Sequence, residues 1–152
     1  MEEVNIQLVV FDRQFLEYSW NWLQDDEIRQ MTSASLLSKE DQLCWFDNLK
    51  NRPDYLIWGI SANQNPIGVT GLKNVTDTDC EYWGYIGEKE YWGKGIGKRI
   101  MDHLELVAKQ RKLRSIWLRV NKDNFRAVNL YKKMNYKVEQ TTDISFIMRK
   151  FI

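Results

Sequence analysis

The octapeptide Tyr91-Trp92-Gly93-Lys94-Gly95-Ile96-Gly97-Lys98 holds the residue types best suited to anion chemistry. A strand-like run, CEYWGYIG over 80–87, leads into it, and helical spacing begins inside it. A helix N-terminus offers free backbone N–H groups and a partial positive charge. Glycines let the main chain approach a phosphate with no Cβ in the way. Together they make an anion site built from backbone, suited to a pyrophosphate, to which Lys94 and Lys98 add charge. The glycines alone admit a second reading, a flexible turn before a tight helix start. They do not match the dinucleotide fingerprint GxGxxG, and no GK[ST] of a phosphate-binding P-loop is present.

The elements that must position this loop are legible from periodicity. Residues 6–11 (IQLVVF) read as a first strand. Residues 14–31 read as helix, broken near Asp25-Asp26, and 39–50 reads as a second helix opened by Ser38. Residues 54–62 and 67–75 form a predicted hairpin around Asn63-Gln64-Asn65-Pro66, and 80–87 is a third strand of that group. Ile96, Ile100, Leu104, Val107 and Ala108 predict a helix over 95–112. A strand (115–120), a helix (124–134) and two strands (136–141, 144–151) complete the order. The expectation is one domain over 1–152 with a mixed α/β (α+β) fold.

Composition limits what this domain can do. Its 152 residues are enough to bury a core without disulfides or metal. Basic and acidic residues number 22 and 21, so there is no electrostatic footprint for nucleic acid or an anionic membrane. Nothing resembles a signal peptide or a membrane span, and Cys44 and Cys80 read as reduced thiols, so the expected location is the cytoplasm. No His/Cys/Asp/Glu grouping has metal-ligand spacing, and no metal is expected. His103, the only histidine, falls at the edge of an apolar helical stripe and reads as a satisfied, partly buried residue.

The segment Asn124-Phe125-Arg126-Ala127-Val128-Asn129-Leu130-Tyr131-Lys132-Lys133-Met134-Asn135-Tyr136 is similar to the GNAT superfamily pattern N-x-x-A-x-x-L-Y-x-x-x-G-F. Asn124, Ala127, Leu130 and Tyr131 match it. Asn135 replaces the glycine, and asparagine also tolerates the left-handed conformation. The glycine loop likewise resembles the family's acetyl-CoA motif [QR]-x-x-G-x-[GA], with Gly95 and Gly97 matching and Trp92 standing where Gln or Arg is usual. The resemblance implies a mostly antiparallel sheet of six or seven strands flanked by about four helices, and transfer of acetyl from acetyl-CoA to an amine.

Residue roles follow from that resemblance. Tyr131 matches the tyrosine that protonates the CoA sulfur, with a core tyrosine as its other reading. Glu81 matches a strand-borne glutamate base, with a solvated charge at a strand start as the alternative. The cofactor contacts implied are Ile86 and Gly87 on the preceding strand, Trp92 through Lys98 in the loop, and Asn124, which is also a natural helix cap. Alternation places Glu81, Trp83 and Tyr85 on one strand face and Tyr82, Gly84 and Ile86 on the other.

For the acceptor, YSWNWLQDDEIRQ (18–30), EDQLCWF (40–46) and EYWGYIGEKEYWGKGIG (81–97) resemble small bacterial GNATs that acetylate nucleotide-linked amino-sugars. They also resemble the branch that acetylates ribosomal-protein N-termini. Trp22, Asp25, Arg29, Trp83 and Tyr85 are the candidate acceptor contacts, with Trp20 on the same aromatic side. A non-catalytic acyl-CoA-binding module is the reading from a different class. Many family members form a homodimer, often through C-terminal strands, and the sequence leaves that open here.

Overall fold

A computed structural model describes residues 4–32 and 37–152. Strand β1 (Ile6–Val10) precedes helices α1 (Arg13–Trp22), α2 (Asp26–Thr32) and α3 (Lys39–Asn48). Strands β2 (Leu56–Ala62), β3 (Asn65–Lys73) and β4 (Asp79–Ile86) follow as a meander. Then come α4 (Ile96–Gln110), β5 (Ser115–Asn121), α5 (Phe125–Lys133), β6 (Lys137–Thr141) and β7 (Ser145–Phe151).

The described residues make five α-helices where about four were expected, because the anticipated break falls between α1 and α2. Asp25 causes it: its carboxylate accepts from the main-chain N–H groups of Glu27 and Ile28 and starts a new helix. The first hairpin turn is also tighter than the sequence suggests. Asn63 and Gln64 take φ of 49° and 71°, so Asn65 and Pro66 already belong to β3. Asn135 closes α5 at φ 73°, with Tyr136 N–H on the Tyr131 carbonyl at 2.9 Å.

The seven strands form one sheet in the order β1-β2-β3-β4-β5-β7-β6. Only β4 and β5 are parallel, and they pair over three residues, Asp79 to Glu81 against Ser115 to Trp117. Beyond Glu81 the two strands part, while β4 stays paired with β3 as far as Ile86. The helix that crosses between them, α4, buries Ile96, Ile100, Met101, Leu104 and Ala108 on one stripe. That stripe packs with Ile60, Leu72, Ile116, Leu118 and Met148 to make the larger core. Burying a side chain such as Leu104 contributes roughly 2 kcal/mol.

The other sheet face packs under α1–α3. Phe11, Phe15, Leu16, Trp22, Ile28 and Val69 form a second, aromatic-rich core there. β4 divides its side chains between the two: Tyr82 and Ile86 join the first, Trp83 and Tyr85 the second. His103 is solvent-exposed rather than partly buried, because it lies just off the α4 stripe.

Candidate active site

Gly93 and Gly95 both adopt φ 75°, a conformation that costs an L side chain roughly 1–2 kcal/mol. Gly95 is the N-cap of α4 and supplies no side-chain cap, so the first-turn N–H groups are left to another partner. A Cβ built at Gly95 meets nothing within 4 Å, so the space above those groups is open. This is the shape a pyrophosphate needs at a helix start.

The loop forms one wall of a cleft of about 530 Å³. Ile86, Trp92, Gly93, Gly95, Ile96, Gly97 and Lys98 line that wall, and Asn124, Ala127 and Leu130 of α5 line the opposite one. Asn124 does two jobs: it caps α5 by accepting from Ala127 N–H at 3.3 Å, and it faces the cleft. Lys98 also pairs with Asp102 at 2.8 Å. Lys94 falls outside the lining, its ammonium 5.7 Å from the Tyr91 ring centre. Gly87 is likewise outside it. Its N–H donates to the Ile67 carbonyl at 2.7 Å, and the Trp22 ring covers it so closely that a Cβ would lie 2.2 Å from indole carbons.

Arg126 and Lys133 also line this cleft and were not singled out from the sequence. Their spacing was the available signal: Arg126, Leu130 and Lys133 fall at i, i+4 and i+7, one face of α5. Arg126 reaches the glycine loop, its Nη1 4.0 Å from the Cβ position of Gly93.

Tyr131 is on the neighbouring α5 face. Its ring meets Tyr82 edge-on with centres 6.3 Å apart, one residue past the last β4–β5 pair. Burial pushes its phenol up to about 12, so it holds its proton at neutral pH.

Across β4 lies a second cavity of about 380 Å³ under α1 and α3. Trp83 and Tyr85 of β4 line it, with Phe11, Trp45 and Tyr55 completing a largely aromatic wall. Successive ring centres from Phe11 through Trp45 and Tyr55 to Trp83 are each 6.0 Å apart. Ser19, Gln42 and Lys73 add polar groups, and no carboxylate is among the described lining residues. Glu81 lines neither cavity: it is buried, 8% exposed, beside the lining residue Lys73. Its carboxylate accepts from Asn74 Nδ2 at 2.9 Å and lies 3.9 Å from Lys73 Nζ.

The other candidate acceptor contacts are placed differently. Trp22 supports Tyr85 edge-on at 6.3 Å and donates through its indole to Glu88 at 2.8 Å. Asp25 caps α2 and pairs with Lys89 at 2.7 Å, a hydrogen bond that holds its carboxyl below the usual range. Arg29 pairs with Asp26 and donates to the Leu23 carbonyl. Neither Asp25 nor Arg29 lines the described cavity. Trp20 faces a separate surface hollow, with Lys39 Nζ 4.4 Å above its ring. Among the described residues, no three His, Cys, Asp or Glu gather as a metal site.

Comparison with known proteins bears on family and fold. The model of the acetyltransferase (GNAT) family matches residues 16–136. The chain is 28% identical over 136 residues to a spermidine N(1)-acetyltransferase of Thermoplasma acidophilum, covering 87% of this chain and 84% of that one. Its fold is similar to a domain from Methanocaldococcus jannaschii, with a TM-score of 0.87 at 20% identity, covering 99% of this chain and all of that one. It is also similar to the N-acetyltransferase PseH of Campylobacter jejuni, solved in complex with acetyl coenzyme A, with a TM-score of 0.77 at 18% identity over 97% of this chain and 99% of that one. With the family model spanning most of the chain, and with both its motifs lining or flanking one cleft, this protein belongs to the GNAT family of acetyltransferases.

Proposed function

We propose that this acetyl-CoA-dependent N-acetyltransferase acts on the primary amine of a sugar, most simply a nucleotide-linked amino-sugar. The observation that carries this reading is the lining of the 380 Å³ cavity: aromatic rings, Ser19, Gln42 and one cation, Lys73, with no carboxylate among the described residues. Aromatic faces suit the apolar face of a pyranose ring, and hydroxyl and amide groups suit its oxygens. A polyamine is a chain of cations. It needs several carboxylates, and it would meet Lys73 at like charge. The spermidine relative therefore supports the chemistry of transfer more than the identity of the acceptor.

The donor belongs in the 530 Å³ cleft. The first-turn N–H groups of α4 hold its pyrophosphate, Lys98, Arg126 and Lys133 add positive charge, and Ile86, Ala127 and Leu130 flank its apolar arm. Acetyl-CoA supplies the acetyl group as a thioester, whose carbon the amine attacks and whose sulfur leaves as a thiol. Glu81 takes the proton the amine sheds, directly or through a water. Tyr131 gives its proton to the sulfur, for which a phenol that stays neutral is the right donor.

A thiol-release assay with acetyl-CoA tests this, using UDP-linked amino-sugars, spermidine and a peptide with a free N-terminus. Turnover is expected with a sugar amine. Turnover with the peptide or spermidine alone, and with no sugar amine, sinks the reading.

A further inference from the structure

We propose that Asn74 is a positioning residue for the reaction, acting through Glu81; this rests on the reading of Glu81 as the base. The argument begins with register. Lys73 and Glu81 are direct partners across the β3–β4 ladder, so their side chains share the sheet face that carries Trp83 and Tyr85. Strand alternation would send the next residue, Asn74, to the opposite face.

It does not go there, because β3 ends at Lys73 and Asn74 takes φ 50°. That left-handed step turns its side chain back to Glu81, and its amide donates to Oε1 at 2.9 Å. Residues other than glycine hold such a conformation at some cost, and asparagine bears it best. Both neighbours of the carboxylate therefore come from one dipeptide, with Lys73 Nζ 3.9 Å from the other oxygen, Oε2. Tyr55 is a further titratable group that Glu81 influences electrostatically.

The consequence is a division of labour on one carboxylate. Oε1 is held by a neutral donor that cannot exchange protons, so the carboxylate keeps one orientation. Among the described residues, Oε2 carries only the longer contact to a half-exposed lysine, and it is the oxygen left to take the amine proton. A carboxylate near a strand end, with no such donor, would be free to rotate out of line. Proton transfer by a positioned group is worth roughly 10²–10⁴-fold, and it depends on that geometry.

The test uses Asn74→Gly, which keeps the left-handed backbone without strain and deletes only the amide. It is made alone and in a Glu81→Gln background, and assayed by thiol release with whichever amine of the screen above turns over fastest. Thermal melting confirms that each variant is folded. Asn74→Gly should lower kcat about tenfold with the KM for acetyl-CoA unchanged, and should cost nothing further once Glu81 is Gln. Independent, multiplying losses, or an effect on KM alone, overturn the positioning role. If Glu81→Gln loses turnover while Asn74→Gly does not, only the role of Asn74 falls. If Glu81→Gln keeps full turnover, the base reading falls first and takes this one with it.

Discussion

The indole N–H of Trp92 donates to the main-chain carbonyl of Ile86 over 2.9 Å, tying the last residue of β4 to the start of the glycine loop. On the other side of the same turn, the Trp22 ring covers Gly87 and its N–H reaches Glu88. Two indoles thus hold the three residues that lead toward the loop. This gives Trp92 a structural role at a position where the family usually carries Gln or Arg, which are also donors.

Trp92→Phe keeps the ring and removes the donor. A part-buried carbonyl left without its partner costs on the order of 1 kcal/mol, and here the loss falls on the order of the loop. The affinity for CoA should fall about fivefold, with kcat changed less, which calorimetry and steady-state kinetics read directly. An unchanged CoA affinity contradicts this role.

The two small residues of the loop that match the family motif should separate. Gly95→Ala places a Cβ at φ 75° and into the open space of the cradle, so CoA binding should weaken about tenfold or more through backbone strain of roughly 1–2 kcal/mol and lost access. Gly97 lies inside α4, and a Cβ there meets Leu130 Cδ2 at an ordinary 3.5 Å. Gly97→Ala should therefore leave the melting temperature equal or higher, since alanine is favoured in a helix by about 1 kcal/mol. Melting curves with and without CoA distinguish the two. A Gly97→Ala protein that melts well below wild type contradicts this account of the packing.

Strand alternation and helix capping make much of this site legible in the sequence. Glu81, Trp83 and Tyr85 could be assigned to one face of β4, and the glycine loop to a helix start, because period and capping are local properties. What could not be read depends on contacts distant in sequence. The loop lengths between strands decide that Lys73 stands opposite Glu81, and a single left-handed residue decides where Asn74 points. Asp25 is a candidate acceptor contact because, in the family the sequence resembles, the first two helices flank the acceptor site. Its pairing with Lys89 is set by the return of the chain 64 positions later, which no local pattern encodes.

Tyr131→Phe should divide binding from chemistry. The phenol lies off the cleft lining, so CoA affinity should stay within about twofold, while kcat drops roughly 100-fold if it protonates the sulfur. Because burial holds its pKa near 12, wild-type activity should show no basic limb from this residue below about pH 10. Full turnover in the Phe variant removes Tyr131 from the reaction.

Alkaline stability tests the core that supports the site. Cys80 is fully buried on β4, and burial pushes its thiol up to about 12, as it does the Tyr131 phenol. Both groups lose their protons more readily in the unfolded chain, near the ordinary thiol and phenol ranges of about 8.5 and 10. Between those values and 12 the native state therefore binds more protons than the unfolded one, and stability falls as pH rises. Below about pH 8.5 the contribution is fully present. The urea midpoint of the wild type should begin to drop above about pH 9, where the Cys80 thiol is the first of these two buried groups to lose its proton in the unfolded chain. In Cys80→Ala that onset should move up to about pH 10, where the buried tyrosines take over, whatever the variant loses in absolute stability at neutral pH. An onset that stays at pH 9 in the variant assigns the early decline to some other group and overturns the role given to Cys80.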